Sequence, residues 1–90
     1  MDMSDIPKSV FVQAKDPSLQ VTARVGKEGL TEGLIKEISD QLAARSVIKI
    51  KINRGIFERN QKKIALQKIC IECNAKLIES RGNVAILFRQ

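Results

Sequence analysis

The sequence predicts an α+β domain, a two-layer fold in which four strands and two main helices follow one another as β-α-β-α-β-β. Apolar and polar residues alternate in two segments, two further segments flank a hairpin turn, and apolar residues recur with helical spacing in two others. The chain has 90 residues, 43% of them hydrophobic, which suits one core beneath a single mixed sheet. We expect residues 19–90 to form this domain and residues 1–18 to be an N-terminal extension, or a short strand with a turn.

The first strand of the domain is predicted at Leu19–Val25, where apolar and polar side chains alternate. Ahead of it, the stretch S-V-F-V-Q-A (residues 9–14) could pair as a further short strand. Pro7 and Pro17 bracket that stretch, and D-P-S reads as a turn. The structure of the first 18 residues is therefore left open.

The first helix follows a run of glycines. Thr31 is a good N-cap, because its hydroxyl can accept a hydrogen bond from a free N–H of the first helical turn. Helical spacing then continues to about Ala44. The face that it predicts as buried consists of Leu34, Ile35, Ile38 and Leu42.

The second strand, S-V-I-K-I-K-I, has the clearest alternation in the chain. Its isoleucines point to one face of the sheet, whereas Lys49 and Lys51 point to the other. Two helices can cover one face of a four-stranded sheet, so we expect the lysine face to be open to solvent. An open face that carries lysines suits a nucleic acid.

The second helix is expected from Glu58 to Cys73, with Asn74 at the left-handed position that ends it. Its predicted buried residues are Ala65, Leu66, Ile69 and Cys70. Beyond it, K-L-I-E-S and V-A-I-L-F-R flank R-G-N, a pattern typical of a β-hairpin. The order of the strands in the sheet is not fixed by the sequence.

Positive charge is concentrated in the middle of the chain. Lys and Arg outnumber Asp and Glu by 16 to 10, and in residues 45–68 every charged side chain except Glu58 is basic. Because a merely soluble domain has no need to segregate its charges, this pattern favours a nucleic acid as partner. The absence of Trp and Tyr disfavours a base-stacking platform. We expect a cytoplasmic protein without a signal peptide or membrane span.

Gly26 and Gly29 lie where a strand ends and a helix is about to begin. Glycine there permits positive φ and lets a ligand approach the backbone, whose N–H groups can bind an anion beside the helix N-terminus. Lys27 adds a mobile charge. A purely structural turn also explains the two glycines, and neither the dinucleotide nor the P-loop fingerprint is present.

Three longer motifs, G-K-E-G-L-T-E-G-L-I-K-E-I, I-K-I-K-I and R-G-N-V-A-I-L-F-R, resemble the YhbY/CRM family (chloroplast RNA splicing and ribosome maturation) over roughly Val21 to Arg89. The resemblance implies a fold like the C-terminal domain of the third translation initiation factor. It also implies a non-catalytic RNA-binding protein whose partners are ribosomal RNA or pre-ribosomal particles, with a role in large-subunit assembly or RNA processing.

The resemblance assigns RNA contact to the strand–G-K-E-G–helix loop and to a basic sheet face. The site residues that we predict are Gly26, Lys27, Glu28, Gly29, Thr31, Lys49, Lys51 and Arg54. The chain departs from the family pattern in that residues 1–18 replace a longer helical segment, the N-R-G-I-F loop is slightly longer, and Glu28 brings a negative charge into the loop.

Two other interpretations stay open. One is an Alba-like nucleic-acid-binding dimer, which shares a similar order of strands and helices. The other is a thiol redox or metal protein that uses Cys70 and Cys73. The chain has no histidine, and two thiolates cannot complete a structural zinc site, so packing in the core is the favoured role of both cysteines. We expect no cofactor, no metal and no catalysis.

Overall fold

The computed structural model describes residues 6–90, which form three helices and a four-stranded sheet. The elements in chain order are α1 (Lys8–Lys15), β1 (Val21–Val25), α2 (Glu32–Arg45), β2 (Val47–Ile52), α3 (Arg59–Cys73), β3 (Lys76–Arg81) and β4 (Val84–Phe88). The predicted α+β class and the β-α-β-α-β-β order are confirmed from β1 onward. No helix in this described part of the chain is both long and apolar enough to cross a membrane.

The strands lie in the order β1-β2-β4-β3. β1 runs parallel to β2, whereas β4 is antiparallel to both of its neighbours, β2 and β3. The carboxyl ends of β1 and β2 therefore lie at the same end of the sheet as the β3–β4 turn. This order, which the sequence left open, determines which loops become neighbours.

One face of the sheet is covered by α2 and α3. Ile38 and Leu42 from α2 and Ile69 from α3 are fully buried against the isoleucines of β2 and Leu87 of β4. Burying a side chain of this size stabilises the fold by roughly 1.5–3 kcal/mol. The predicted buried faces are thus confirmed at their centres. At their margins Leu34, Ile35 and Cys70 are only partly buried, and Cys73 takes the deeper position.

The helix ends follow the predicted capping. Thr31 Oγ1 accepts a hydrogen bond from Leu34 N at 3.1 Å, and Asn74 has φ 52° in the left-handed region. Near this second end the guanidinium group of Arg89 donates to Ser39 O at 2.7 Å and to Cys73 O at 2.9 Å. Arg89 therefore ties α2 and α3 to the end of β4.

The short strand considered for residues 9–14 is not formed, because residues 8–15 form α1. Val10 and Ala14 are four residues apart, so in a helix they share one face, and both are buried. Pro7 precedes the helix and Pro17 follows it, so neither proline interrupts its hydrogen bonds. The chain thus does have a helical segment ahead of its first strand.

The face of the sheet opposite α2 and α3 is only partly open, which corrects the expected lysine face. There, α1 packs with Ile6, Val10 and Ala14 against a second apolar cluster. The sheet residues of that cluster are Val47, Ile86 and Phe88. Since Val47 starts β2, α1 covers the beginning of this strand and leaves Lys49 and Lys51 partly exposed.

Candidate nucleic-acid interface

Three connections meet at one end of the sheet, and we call this region the loop end. It consists of residues 26–31, residues 53–58 and the turn Gly82–Asn83. Asn53 N donates to Val25 O at 2.8 Å, and Ile52 N donates to Asn83 O at 2.7 Å. These two bonds extend the sheet pairing into the loops and hold distant parts of the sequence side by side.

The G-K-E-G stretch is a closed turn. Gly29 N donates to Gly26 O at 2.9 Å, which leaves Lys27 and Glu28 exposed at the tip. Gly29 has φ +73°, so the expected positive φ is confirmed there. Gly26 lies outside the left-handed region, and the same expectation is wrong for it. A Cβ at Gly26 would instead lie 3.6 Å from Asn53 Nδ2, at the contact between two loops.

Much of the backbone around this turn already has partners. Thr31 N donates to Gly29 O at 3.2 Å, and Ile35 N donates to Thr31 O at 3.0 Å. Gly29 N, Thr31 N and Leu34 N, the last of them bonded to the N-cap hydroxyl, are thus donors that an anion-binding backbone would otherwise offer. The side chain of Lys27 is therefore the exposed cationic group of the turn.

The local charge of the turn is not positive. The residues that follow Lys27 in the chain include the exposed carboxylates of Glu28 and Glu32. Positive charge is supplied by the neighbouring loop, where Arg54 is exposed next to Gly55. The fold thus brings Arg54 to the same end of the sheet as the predicted site residues of the turn, which are Gly26, Lys27, Glu28, Gly29 and Thr31.

Lys62 holds the third connection in place. Its Nζ donates to Gly82 O at 3.0 Å and to Asn83 Oδ1 at 2.8 Å, so the hairpin turn is fixed against α3. No sequence pattern indicates this contact, because the residues are twenty and twenty-one positions apart. Part of the positive charge in the basic middle of the chain therefore has a structural partner.

The two predicted lysines of β2 lie on the face that α1 partly covers. Lys51 pairs in register with Arg24 of β1 and with Val84 of β4, and Val84 pairs with Arg81 of β3. Directly paired residues point to the same face, so these side chains form one row across the sheet. Lys49 lies two residues further from the loop end, beside Ile86.

Arg24 and Arg81 were missing from the predicted site. Arg24 could have been found, because alternation with the buried Ala23 and Val25 places it opposite the core. Arg81 could not, because its position beside the lysines depends on the strand order.

The cysteines lie apart from these surfaces. Burial raises the pKa of the Cys70 thiol, with a smaller contribution from Cys73, and burial likewise raises the pKa of Cys73. Both thiols are therefore protonated at neutral pH. Within residues 6–90 no three His, Cys, Asp or Glu side chains cluster as metal ligands would.

Comparison with known proteins adds a family to this geometry. The family model of the CRS1/YhbY (CRM) domain matches residues 11–89. The chain belongs to this family. Within it, the chain is 35% identical over 79 residues to the Probable RNA-binding protein MJ0652 of Methanocaldococcus jannaschii, covering 88% of this chain and 58% of that protein. It therefore spans less than two thirds of this relative's length.

Two further matches cover most of this chain and most of the matched CRM-family relative or solved structure. The Probable RNA-binding protein YqeI of Bacillus subtilis is 30% identical over 81 residues, which cover 89% of this chain and 81% of YqeI. The solution structure of the hypothetical protein SAV1595 from Staphylococcus aureus superposes with a TM-score of 0.73 at 23% identity. That superposition covers 91% of this chain and 81% of the staphylococcal one, and it shows a shared fold.

Proposed function

We propose that this CRM-family protein binds RNA without catalysing a reaction. The observation that carries the proposal is the meeting of the G-K-E-G turn, the Arg54 loop and the basic end of β2 at one end of the sheet. Relatives from an archaeon and a bacterium are named as RNA-binding proteins. A polyanion is the partner that an excess of exposed lysine and arginine attracts.

The contact is to the RNA backbone rather than to stacked bases. The chain has three phenylalanines and no Trp or Tyr. Phe88 is buried in the cluster beneath α1, Phe11 of α1 packs against that cluster, and Phe57 packs against the main core. Base-stacking modules present exposed aromatic rings, whereas these rings are used in packing. Recognition therefore rests on charge and on the shape of the RNA.

Within RNA biology, we place the protein in ribosome assembly, as a factor that holds a conformation of ribosomal RNA in precursors of the large subunit. This role is carried by the family resemblance of the sequence motifs. Crosslinking the protein to RNA in cells and sequencing the bound RNA tests it. Enrichment of large-subunit ribosomal RNA supports the role, and enrichment of unrelated transcripts contradicts it.

Contact by the turn is tested with Lys27→Asp, which leaves both glycines in place. Its matched control is Lys68→Asp, the same charge change at an exposed site on α3. The structure makes Lys36 a poorer control, because its Nζ lies 3.0 Å from Asp40 Oδ2. If the turn contacts RNA, filter binding with a folded ribosomal RNA fragment shows a much larger loss for Lys27→Asp. Equal losses of affinity in the two variants mean that the turn has only a structural role.

An Alba-like function predicts a dimer that binds duplex DNA as well as it binds RNA. Sedimentation and competition between the two nucleic acids separate that alternative from the proposed one. A monomer that prefers folded RNA to duplex DNA supports the proposed RNA-binding function.

A further inference from the structure

The sheet face beside α1 carries a surface that we call the basic strip. Its central members are Arg24, Lys51 and Arg81, which lie on three different strands and are linked in register through Val84. Neighbouring strands are about 4.8 Å apart, so the strip crosses the sheet over roughly 14 Å. It runs perpendicular to the strands.

The strip is narrow in the other direction. On one side α1 packs over Val47 and Phe88, and on the other side the strands end at the loop end. From Lys49 to Ile52 the uncovered part of β2 extends for roughly 10 Å. The free surface is thus a track that is longer across the strands than along them.

The charge of the strip is predominantly positive. Arg24 and Arg81 are exposed, and Lys49 and Lys51 are partly exposed. Across residues 6–90 the structure contains a single salt bridge, Lys36–Asp40 on α2, so none of these cations is neutralised by an ion pair.

Two acidic residues lie beside these cations. Glu79 is exposed on the same face, paired in register with Ile86 in the row of Lys49, and it lines a depression together with Lys15, Asp16, Lys49 and Arg81. The Asp16 carboxylate accepts hydrogen bonds from Ser18 N and Ser18 Oγ, each at 2.9 Å, which lower its pKa. Cations therefore outnumber anions along the track.

We propose that the basic strip binds the sugar–phosphate backbone of one unpaired RNA strand that crosses the four β-strands. The side chain between Lys51 and Arg81, Val84, is aliphatic and offers neither a stacking ring nor a hydrogen bond to a base, and Ile86 in the next row is buried beneath α1. A row of cations in a narrow track matches a line of phosphates and is indifferent to base identity. The proposal rests on the proposed RNA-binding function and deepens it, since it adds Arg24 and Arg81 to the basic sheet face and assigns an unpaired strand to that face.

The experiment uses the full chain with an oligouridine of about a dozen nucleotides, the double variant Arg24→Gln/Arg81→Gln, and the control Lys63→Gln/Lys68→Gln. Both control residues are exposed on α3, which covers the other face of the sheet. Each lost phosphate contact on a single strand reduces the slope of log K against log salt by about 0.7. For the strip variant, which loses two contacts, the slope should therefore be smaller in magnitude by about 1.4, and RNA should bind more than about tenfold more weakly at low salt. The control should change little.

Several outcomes overturn the proposal. If the strip variant melts at the wild-type temperature and its slope of log K against log salt is unchanged, the strip does not contact RNA, and the proposed RNA-binding function is unaffected. Equal losses in the strip variant and in the control show that net charge alone is responsible. If an RNA duplex of equal length binds as tightly and its affinity also depends on Arg24 and Arg81, the assignment of the strip to a single strand is wrong. A wild-type chain that binds neither oligouridine nor a folded ribosomal RNA fragment refutes RNA binding itself.

Discussion

The loop end and the basic strip adjoin each other but are built in different ways. The G-K-E-G turn has a distinctive backbone, closed by hydrogen bonds, and its one lysine is accompanied by Glu28 and Glu32. The strip has ordinary strand geometry and several cations that come from separate strands. The glycine-rich stretch that stands out in the sequence therefore supplies shape, whereas most of the clustered cations come from separate strands, and among them only Lys49 and Lys51 lie in a motif that the sequence analysis identified.

The largest expected effect comes from reversing a charge at the centre of the strip. Lys51→Glu should weaken RNA binding by more than about tenfold, because a carboxylate then replaces a cation beside Arg24 and faces the phosphates. The side chain is partly exposed, so the free energy of unfolding should change little. Fluorescence anisotropy with labelled oligouridine measures the first quantity, and urea unfolding measures the second.

The control for this variant is Lys68→Glu on α3. If it weakens binding as much as Lys51→Glu does, then the effect is one of net charge. If Lys27→Glu weakens RNA binding more than Lys51→Glu does, the turn rather than the strip is the main contact.

The next effect separates the two glycines of the turn. Gly29→Ala should lower the free energy of unfolding by about 1–2 kcal/mol, because an L-residue is strained at φ +73° even though the space around the Cβ is open. Gly26→Ala should cost less than about 0.5 kcal/mol, since its Cβ would make an ordinary contact with Asn53. Urea denaturation of both variants checks this order. Equal costs would mean that both glycines are held by the turn in the same way.

A smaller and opposite effect is expected from the acidic residue at the tip of the turn. Glu28→Gln should strengthen RNA binding a few-fold, because it removes a repulsive charge beside Lys27 while solvent screens most of the interaction. Titrations at low and moderate salt should show the gain shrinking as salt rises. Weaker binding by Glu28→Gln would instead indicate that the carboxylate accepts hydrogen bonds from the RNA.

The cysteines, which lie apart from both regions, should have the smallest effect on binding. Cys70→Ala/Cys73→Ala should keep the wild-type RNA affinity and lose a few kcal/mol of stability at most through poorer packing. A folded double variant that no longer binds RNA would contradict this assignment.

These thiols also predict a pH dependence. Burial raises the pKa of both in the folded chain above their ordinary value of 9.0, so ionisation favours the unfolded chain. Their contribution to stability is complete below pH 9.0 and declines as the pH rises above that value. Urea unfolding across this range should show a steeper decline for the wild-type chain than for the alanine variant.

Local chemistry made most of the fold predictable. The N-cap of α2 at Thr31, the left-handed Asn74 and the alternation of β2 each depend on neighbours within a few residues, and each is confirmed. α1 was missed because two prolines and a short apolar run resemble an edge strand. The prolines proved to flank a helix whose apolar face is seen only when it packs.

The site was harder to predict because its parts meet through tertiary structure. The turn could be found from its glycines and from the family resemblance. The row that joins Arg24, Lys51 and Arg81 required both the strand order and the register. The engagement of Lys62 by the hairpin turn has the same origin, so counting charges along the chain overstates what is free to bind RNA.

The placement of α1 has a consequence for the solution behaviour of the protein. Its buried residues shield Val47, Ile86 and Phe88, which lie beside the cations of the sheet. A chain shortened to begin at β1 would expose this apolar patch to water. We expect such a chain to self-associate through this patch. In the presence of RNA we expect it to coprecipitate, because positive charge would bind many copies to one RNA molecule and their exposed apolar patches would then contact each other. In this sense α1 acts as a solubility device for the domain.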